Sequence, residues 1–126
     1  MDGTALRPLH LGISVESIEA SVRWYGEMLG FTLLSDAEMP ALESRVAFLG
    51  NGSFQLELFQ HRRTLPLPPG RRTPNDDIRT QGTKHICFAH EDVPGLLAEL
   101  RRKGADVVME QVVKGKPMGF VRDNNG

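Results

Sequence analysis

Two short stretches built on one plan constrain this chain more than anything else in it. In Leu9-His10-Leu11-Gly12-Ile13-Ser14-Val15, aliphatic side chains alternate with a histidine and two small residues. That period of two makes a strand with one apolar face. Lys84-His85-Ile86-Cys87-Phe88-Ala89 repeats the plan, with Ile86 and Phe88 on one side and His85, Cys87 and Ala89 on the other. A chain that twice displays a histidine on the face away from its apolar row reads as a duplicated unit.

The residues between the two stretches support the duplication. After the first, Ser17 is placed to cap a helix whose Ile18, Val22, Tyr25 and Leu29 form one stripe, closed by Gly30. Strands follow over Phe31–Met39, Ser44–Leu49 and Phe54–Phe59, the last two joined through Gly50-Asn51-Gly52. After the second stretch, read as a strand over Lys84–His90, Asp92 caps a helix with Pro94 in its first turn, which stops at Gly104. Strands are expected at Asp106–Met109 and Met118–Arg122. His10 to Gly30 is twenty positions and His85 to Gly104 is nineteen, and Asn51-Gly52 is matched by Asn125-Gly126. Each half thus reads as strand, helix and three strands, with the second lacking its last strand, the counterpart of Phe54–Phe59. The expectation is a single α+β domain: module one about 6–61, a connecting loop about 62–82 rich in proline, and module two about 83–126.

At 126 residues the chain can bury one core. Fifteen basic and sixteen acidic side chains give a net charge of -1, which favours neither nucleic acid nor a membrane surface. One cysteine cannot form an internal disulfide, so a cytoplasmic setting is expected. Met1-Asp2-Gly3-Thr4 has no charged or apolar targeting region.

Chemistry is carried by His10, Glu57 and His85, each placed by alternation on the face opposite the core. Two imidazoles and a carboxylate are a sound donor set for Zn, Mn, Co, Ni or Fe, and three protein ligands leave positions open for substrate or water. Taken singly, a strand histidine also fits a satisfied core position, and Glu57 a carboxylate on a wet sheet face. Ser14, Gln55 and Phe59 share the ligands' face and are candidates for substrate contact. Cys87, two positions from His85, could line the same cavity or be a buried inert thiol. Arg62, Arg63, Arg71, Arg72 and Arg79 make the connecting loop basic; Arg79 is taken as a candidate for an anionic substrate group, with a solvated loop as the alternative. His61 and His90 are read as surface and helix-start residues.

These residues, together with Trp24-Tyr25-Gly26-Glu27-Met28-Leu29-Gly30-Phe31, Gln55-Leu56-Glu57-Leu58 and Gly119-Phe120-Val121-Arg122-Asp123-Asn124-Asn125-Gly126, make the chain resemble the vicinal oxygen chelate superfamily. That superfamily includes glyoxalase I, methylmalonyl-CoA epimerase, extradiol dioxygenases and the bleomycin-resistance proteins. The resemblance implies paired βαβββ modules forming a cupped mixed sheet around a divalent metal ion, held here by His10, Glu57 and His85. It implies a fourth ligand, a glutamate about five residues past Gly126, and a homodimer. It implies metal-assisted proton transfer at a carbon next to a carbonyl, with Glu57 as the base, in an epimerase, isomerase or glyoxalase-like lyase acting on a small molecule. Extradiol cleavage and non-catalytic small-molecule binding are the alternative functions.

Overall fold

A strand needs a hydrogen-bonding neighbour, and the first half of the chain supplies one for every strand it makes. The computed structural model describes residues 5–126, so the targeting-free start read at Met1–Thr4 lies outside the described residues. The chain divides into two compact units, the first ending at Leu65 and the second running from Pro66 to Gly126.

In the first unit, β1 (His10–Ser14), α1 (Ile18–Leu29), β2 (Thr32–Met39), β3 (Ser44–Asn51) and β4 (Phe54–His61) form a βαβββ module. Its mixed four-stranded sheet has the order β1-β4-β3-β2. β1 lies parallel to β4, while β3 is antiparallel to both β4 and β2. A parallel pair needs a long crossover, which α1, β2 and β3 provide.

Alternation sets the two faces of this sheet. Leu56 and Leu58 of β4 register with Leu49 and Ala47 of β3, and all four are fully buried. Leu11 and Ile13 join them from β1 at half burial. Leu9, assigned by alternation to the same row, is instead exposed, because β1 begins only at His10. Ile18, Ser21 and Tyr25 of α1 are buried, with Phe31 closing the core where the helix ends.

The helix is held at both ends. The Ser17 hydroxyl accepts from the Ala20 N–H at 3.1 Å, and the Gln60 side chain of β4 accepts from the Ile18 N–H at 2.7 Å. Two of the free amides of the first turn are thereby satisfied. Gly30 takes a left-handed conformation (φ 74°), and the Phe31 N–H returns to the Tyr25 carbonyl at 3.1 Å, which turns the chain into β2.

Arg45 of β3 ties three elements together on the helix side. Its guanidinium donates to both carboxylate oxygens of Asp36 in β2, at 2.9 and 2.6 Å, and to Glu19 in the first turn of α1. These hydrogen bonds hold both carboxyls below their ordinary ionisation range and push the guanidinium further up.

In the second unit, α2 (Val93–Arg102) is followed by β5 (Asp106–Val113) and β6 (Lys116–Arg122), an antiparallel two-stranded sheet. Asp92 caps α2 by accepting from the Gly95 N–H at 3.0 Å. Leu97 and Leu100 are buried, and α2 approaches β6 so closely that a Cβ on Gly119 would meet the Leu97 side chain at 2.5 Å. β5 runs four residues past the expected Met109. It turns at Lys114 and Gly115, whose φ of 50° and 77° suit the twist of a tight hairpin.

The strand expected at Lys84–His90 is not formed. In the first unit β1 takes its hydrogen bonds from β4; the counterpart of β4 is not among these residues, so the second stretch has no ladder to join. Alternation marks a segment able to be a strand, whereas pairing makes it one.

The Arg45 cluster gives a pH signature. Carboxyls with depressed folded-state pKa values contribute stability above their unfolded values of about 4 and lose it as pH falls through the folded values. Arg45→Met is expected to lower the thermal midpoint at pH 7 relative to the parent, with the gap closing as pH drops below about 4. A gap of equal size at pH 7 and pH 2 would assign the effect to packing instead.

Candidate metal and catalytic site

The face of the first sheet opposite α1 carries the chemistry. Parallel register sets His10 beside Gln55, Gly12 beside Glu57 and Ser14 beside Phe59. All six residues point away from the buried Leu56 and Leu58, because neighbours in a strand alternate faces. His10 Nε2 and Glu57 Oε1 stand 3.5 Å apart, both side chains part-exposed. Gly12 is the register partner of Glu57 and the next residue after His10 on that face. A Cβ there would sit 3.3 Å from the Phe59 ring and 4.0 Å from Glu57 Oε1, so the missing side chain leaves the carboxylate room.

The His10 ring is also set edge-to-face against Phe48, with centroids 5.5 Å apart and planes at 83°. Phe48 registers with Glu57 across β3 and β4, so one aromatic side chain borders both members of the pair. Sequence reading missed Phe48 as a site residue. Its signal was the period-two pattern of β3, which sends Phe48 to the face opposite Ala47 and Leu49.

Beyond Ser14 and Phe59 the same face continues into a cleft of about 230 Å³, also lined by Val15, His61, Arg63, Thr64 and Leu65. It is smaller than the usual range for drug-sized ligands and suits a small molecule. His61, read from sequence as a surface residue, is exposed and is one of its walls.

In the second unit His85 repeats the first histidine's setting. Its ring lies edge-to-face on Phe120 of β6, with centroids 5.0 Å apart and planes at 90°. Each unit therefore braces its histidine on a phenylalanine from a later strand. Cys87 is a free thiol and is exposed, correcting the expectation of a buried one. Without a sheet, alternation does not bury it. Arg79 is exposed. Arg71 is engaged inside its own unit, donating to Asp77 Oδ2 at 3.2 Å and to the Thr83 carbonyl at 2.7 Å. Arg122 Nε donates to the Arg72 carbonyl at 2.7 Å. Arg71 and Arg72 thus fasten a segment that sequence reading left as a solvated loop.

Within neither unit do three His, Cys, Asp or Glu side chains converge on a metal position, among the described residues. Among the described residues of the first unit two imidazole–carboxylate pairs occur, His10–Glu57 at 3.5 Å and the more exposed His61–Glu43 at 3.8 Å; the former has the donor chemistry a divalent ion of the zinc, nickel or iron kind accepts. Gly12 puts no side chain between the Phe59 ring and Glu57 Oε1, which leaves the carboxylate approachable. The residues of the first unit fit a metal as part of its donor set.

A βαβββ module with a helix on one face and a histidine–glutamate pair on the other defines a glyoxalase-type fold. The chain belongs to the glyoxalase/bleomycin resistance protein/dioxygenase superfamily, which it matches over residues 9–121. It is 30% identical over 127 residues to the lactoylglutathione lyase GLX1 of Arabidopsis thaliana, covering 95% of this chain and 41% of the relative. It is 30% identical over 92 residues to the uncharacterized protein YaeR of Escherichia coli K12, covering 72% of this chain and 66% of that protein. The chain thus spans less than two thirds of the length of either relative. Among solved structures, glyoxalase I of Leishmania major shares 28% identity with a TM-score of 0.75, covering 97% of this chain and 82% of that one. A glyoxalase family protein from Enterococcus faecalis shares 25% identity with a TM-score of 0.81, covering 98% and 94%. Among the described residues no helix is long and apolar enough to cross a membrane.

The space above Gly12 can be tested directly. Gly12→Ala places a methyl group 3.3 Å from the Phe59 ring and 4.0 Å from Glu57 Oε1 on an exposed strand position, which the ring can accommodate by a shift of a few tenths of an ångström. The thermal midpoint is expected to stay close to that of the parent while calorimetric affinity for Zn or Ni ions falls at least tenfold. Unchanged affinity would remove Gly12 from the site.

Proposed function

We propose that this protein is a divalent-metal-dependent enzyme that moves a proton at a carbon next to a carbonyl on a small oxygenated substrate, in the manner of a glyoxalase-like lyase or an isomerase. The observation that carries this reading is the approach of His10 Nε2 and Glu57 Oε1 to 3.5 Å on the open face of the sheet. The family supports it, and so do the names of the relatives, lactoylglutathione lyases among them.

In this reading His10, Glu57 and His85 hold the ion, with any further ligand supplied from outside these residues. When bound, a divalent ion supplies Lewis-acid stabilisation of negative charge on substrate oxygens. Glu57 acts as the base: its carboxylate takes the proton from the carbon, leaving the bonding pair to delocalise onto the carbonyl oxygen, and then returns the proton to a carbon of the same unit. Gly12 and Phe48 leave the carboxylate accessible on one side and bordered by an aromatic ring on the other. Ser14, Gln55 and Phe59, and from the second unit Cys87 and Arg79, contact the substrate.

The test is solvent-deuterium incorporation at the carbon next to the carbonyl of lactoylglutathione, the thioester for which the relatives are named, run with Zn-, Ni- or Mn-loaded protein. Glu57→Gln is expected to lower the exchange rate by about 10²–10⁴-fold, and His10→Ala to lower metal affinity at least tenfold. Exchange unaffected by Glu57→Gln would remove the base. Oxygen uptake on a catechol with Fe(II) would replace the reading with ring cleavage. Ligand binding without metal, unchanged in His10→Ala, would replace it with sequestration.

The same reading includes a homodimer, as the family resemblance implies. Light scattering in solution is expected to give twice the mass of one chain, and a monomer mass under assay conditions would discard this part of the proposal.

A further inference from the structure

The outermost strand of the first sheet carries one residue more than its neighbour pairs with. β2 ends the order β1-β4-β3-β2. Thr32 registers with Gly50, Leu33 with Leu49 and Ser35 with Phe48, so Leu34 is an insertion opposite no residue of β3. A bulge of this kind bends an edge strand and re-aims the side chain it frees. Here Leu34 leans back over Gly50. A Cβ on that glycine would meet Leu34 Cδ1 at 2.8 Å, Cγ at 3.3 Å and Cδ2 at 3.4 Å.

Gly50 belongs to the open face. It registers with Gln55 of β4, which registers in turn with His10 of β1. The three positions form one row across the sheet, and Gly50 lies two strand spacings, about 10 Å, from the histidine. A glycine in such a row leaves a notch, and Leu34 fills it. The leucine is 54% exposed, so the filled notch presents an apolar wall to whatever lies over Gln55. Phe48 stands in the next row, in register with Glu57. Thr32, Ser35, Phe48 and Gly50, which face this space from β2 and β3, carry no charge. The cleft beyond Ser14 and Phe59 lies at the opposite end of the strands and offers polar groups at Ser14, His61 and Arg63. A thioester whose long polar arm enters that cleft turns the short group on its reacting carbon toward Leu34.

Resting on the reading of His10 and Glu57 as the reacting centre, we propose that Leu34 is a specificity-determining residue: seated over Gly50, it closes the face beyond Gln55 and restricts the group on the substrate's reacting carbon to a small alkyl such as methyl.

The probes are lactoylglutathione, whose reacting carbon carries a methyl group, and mandeloylglutathione, which carries a phenyl ring there. Calorimetric affinity for each, and the rate of solvent-deuterium incorporation, are measured on the whole chain loaded with Zn or Ni. The parent is expected to bind the methyl thioester about tenfold or more tightly than the phenyl one. Leu34→Ala empties the notch and is expected to cut that preference by about tenfold, with metal affinity unchanged. Leu33→Ala is the control. Leu33 is comparably exposed, at 48%, but registers with the buried Leu49 of the helix side, and its variant is expected to keep the parent's preference. An unchanged preference in Leu34→Ala would overturn the proposal. So would an equal change in Leu33→Ala, a parent with no preference, or a parent that binds neither thioester. A preference that depends on Leu34, with no deuterium incorporated by any of the proteins, would overturn the proton-transfer reading and leave the role of Leu34 standing.

Discussion

The parallel pairing of β1 with β4 is the constraint from which the rest follows. It joins the first and last strands of a module whose intervening helix and strands must form before the two can meet. Its register decides that His10 falls two positions from Gly12, the residue opposite Glu57, so that two side chains separated by most of the module share one face. A slip of β1 by one residue would turn His10 to the helix side while Glu57 stayed on the open face, and the pair would be lost. The buried leucines therefore guard the register of the site: the hydrophobic face that pays for folding also fixes which polar groups meet on the other side.

Much of this was legible in the sequence because it depends on local pattern. Both helices, their caps at Ser17 and Asp92, and the glycines that follow them were readable from residue type alone, since capping is satisfied within a few positions. The face shared by His10, Gln55, Glu57, Phe59 and Ser14 followed from alternation, and the burial of Leu56 and Leu58 agrees with it. What failed at Lys84–His90 was the step from pattern to pairing. A strand is a property of two segments: the repeat showed that the counterpart of Phe54–Phe59 is not among these residues, and Lys84–His90 was still read as a strand from its own alternation.

Phe48, Phe120 and Asp77 were not legible for a different reason. Each matters through a neighbour distant in sequence. Phe48 and Phe120 read as ordinary strand aromatics until their rings are seen beside His10 and His85. Asp77 sits in a stretch of prolines, glycines and arginines whose composition describes a solvated loop. Its burial comes from Arg71 and Lys84, six and seven residues away on either side, at spacings that match neither a helix nor a strand. Irregular segments encode their structure in specific polar contacts, and no periodicity announces those.

The comparison of the two units gives the duplicated plan its physical content. Both place a histidine edge-on to a phenylalanine, with ring centroids 5.5 Å apart in one unit and 5.0 Å in the other. In each unit that phenylalanine lies on the second strand after the helix, β3 in the first and β6 in the second. The duplication therefore reaches beyond the order of elements to the aromatic support of the histidine, a contact that restrains the tilt of the imidazole by packing.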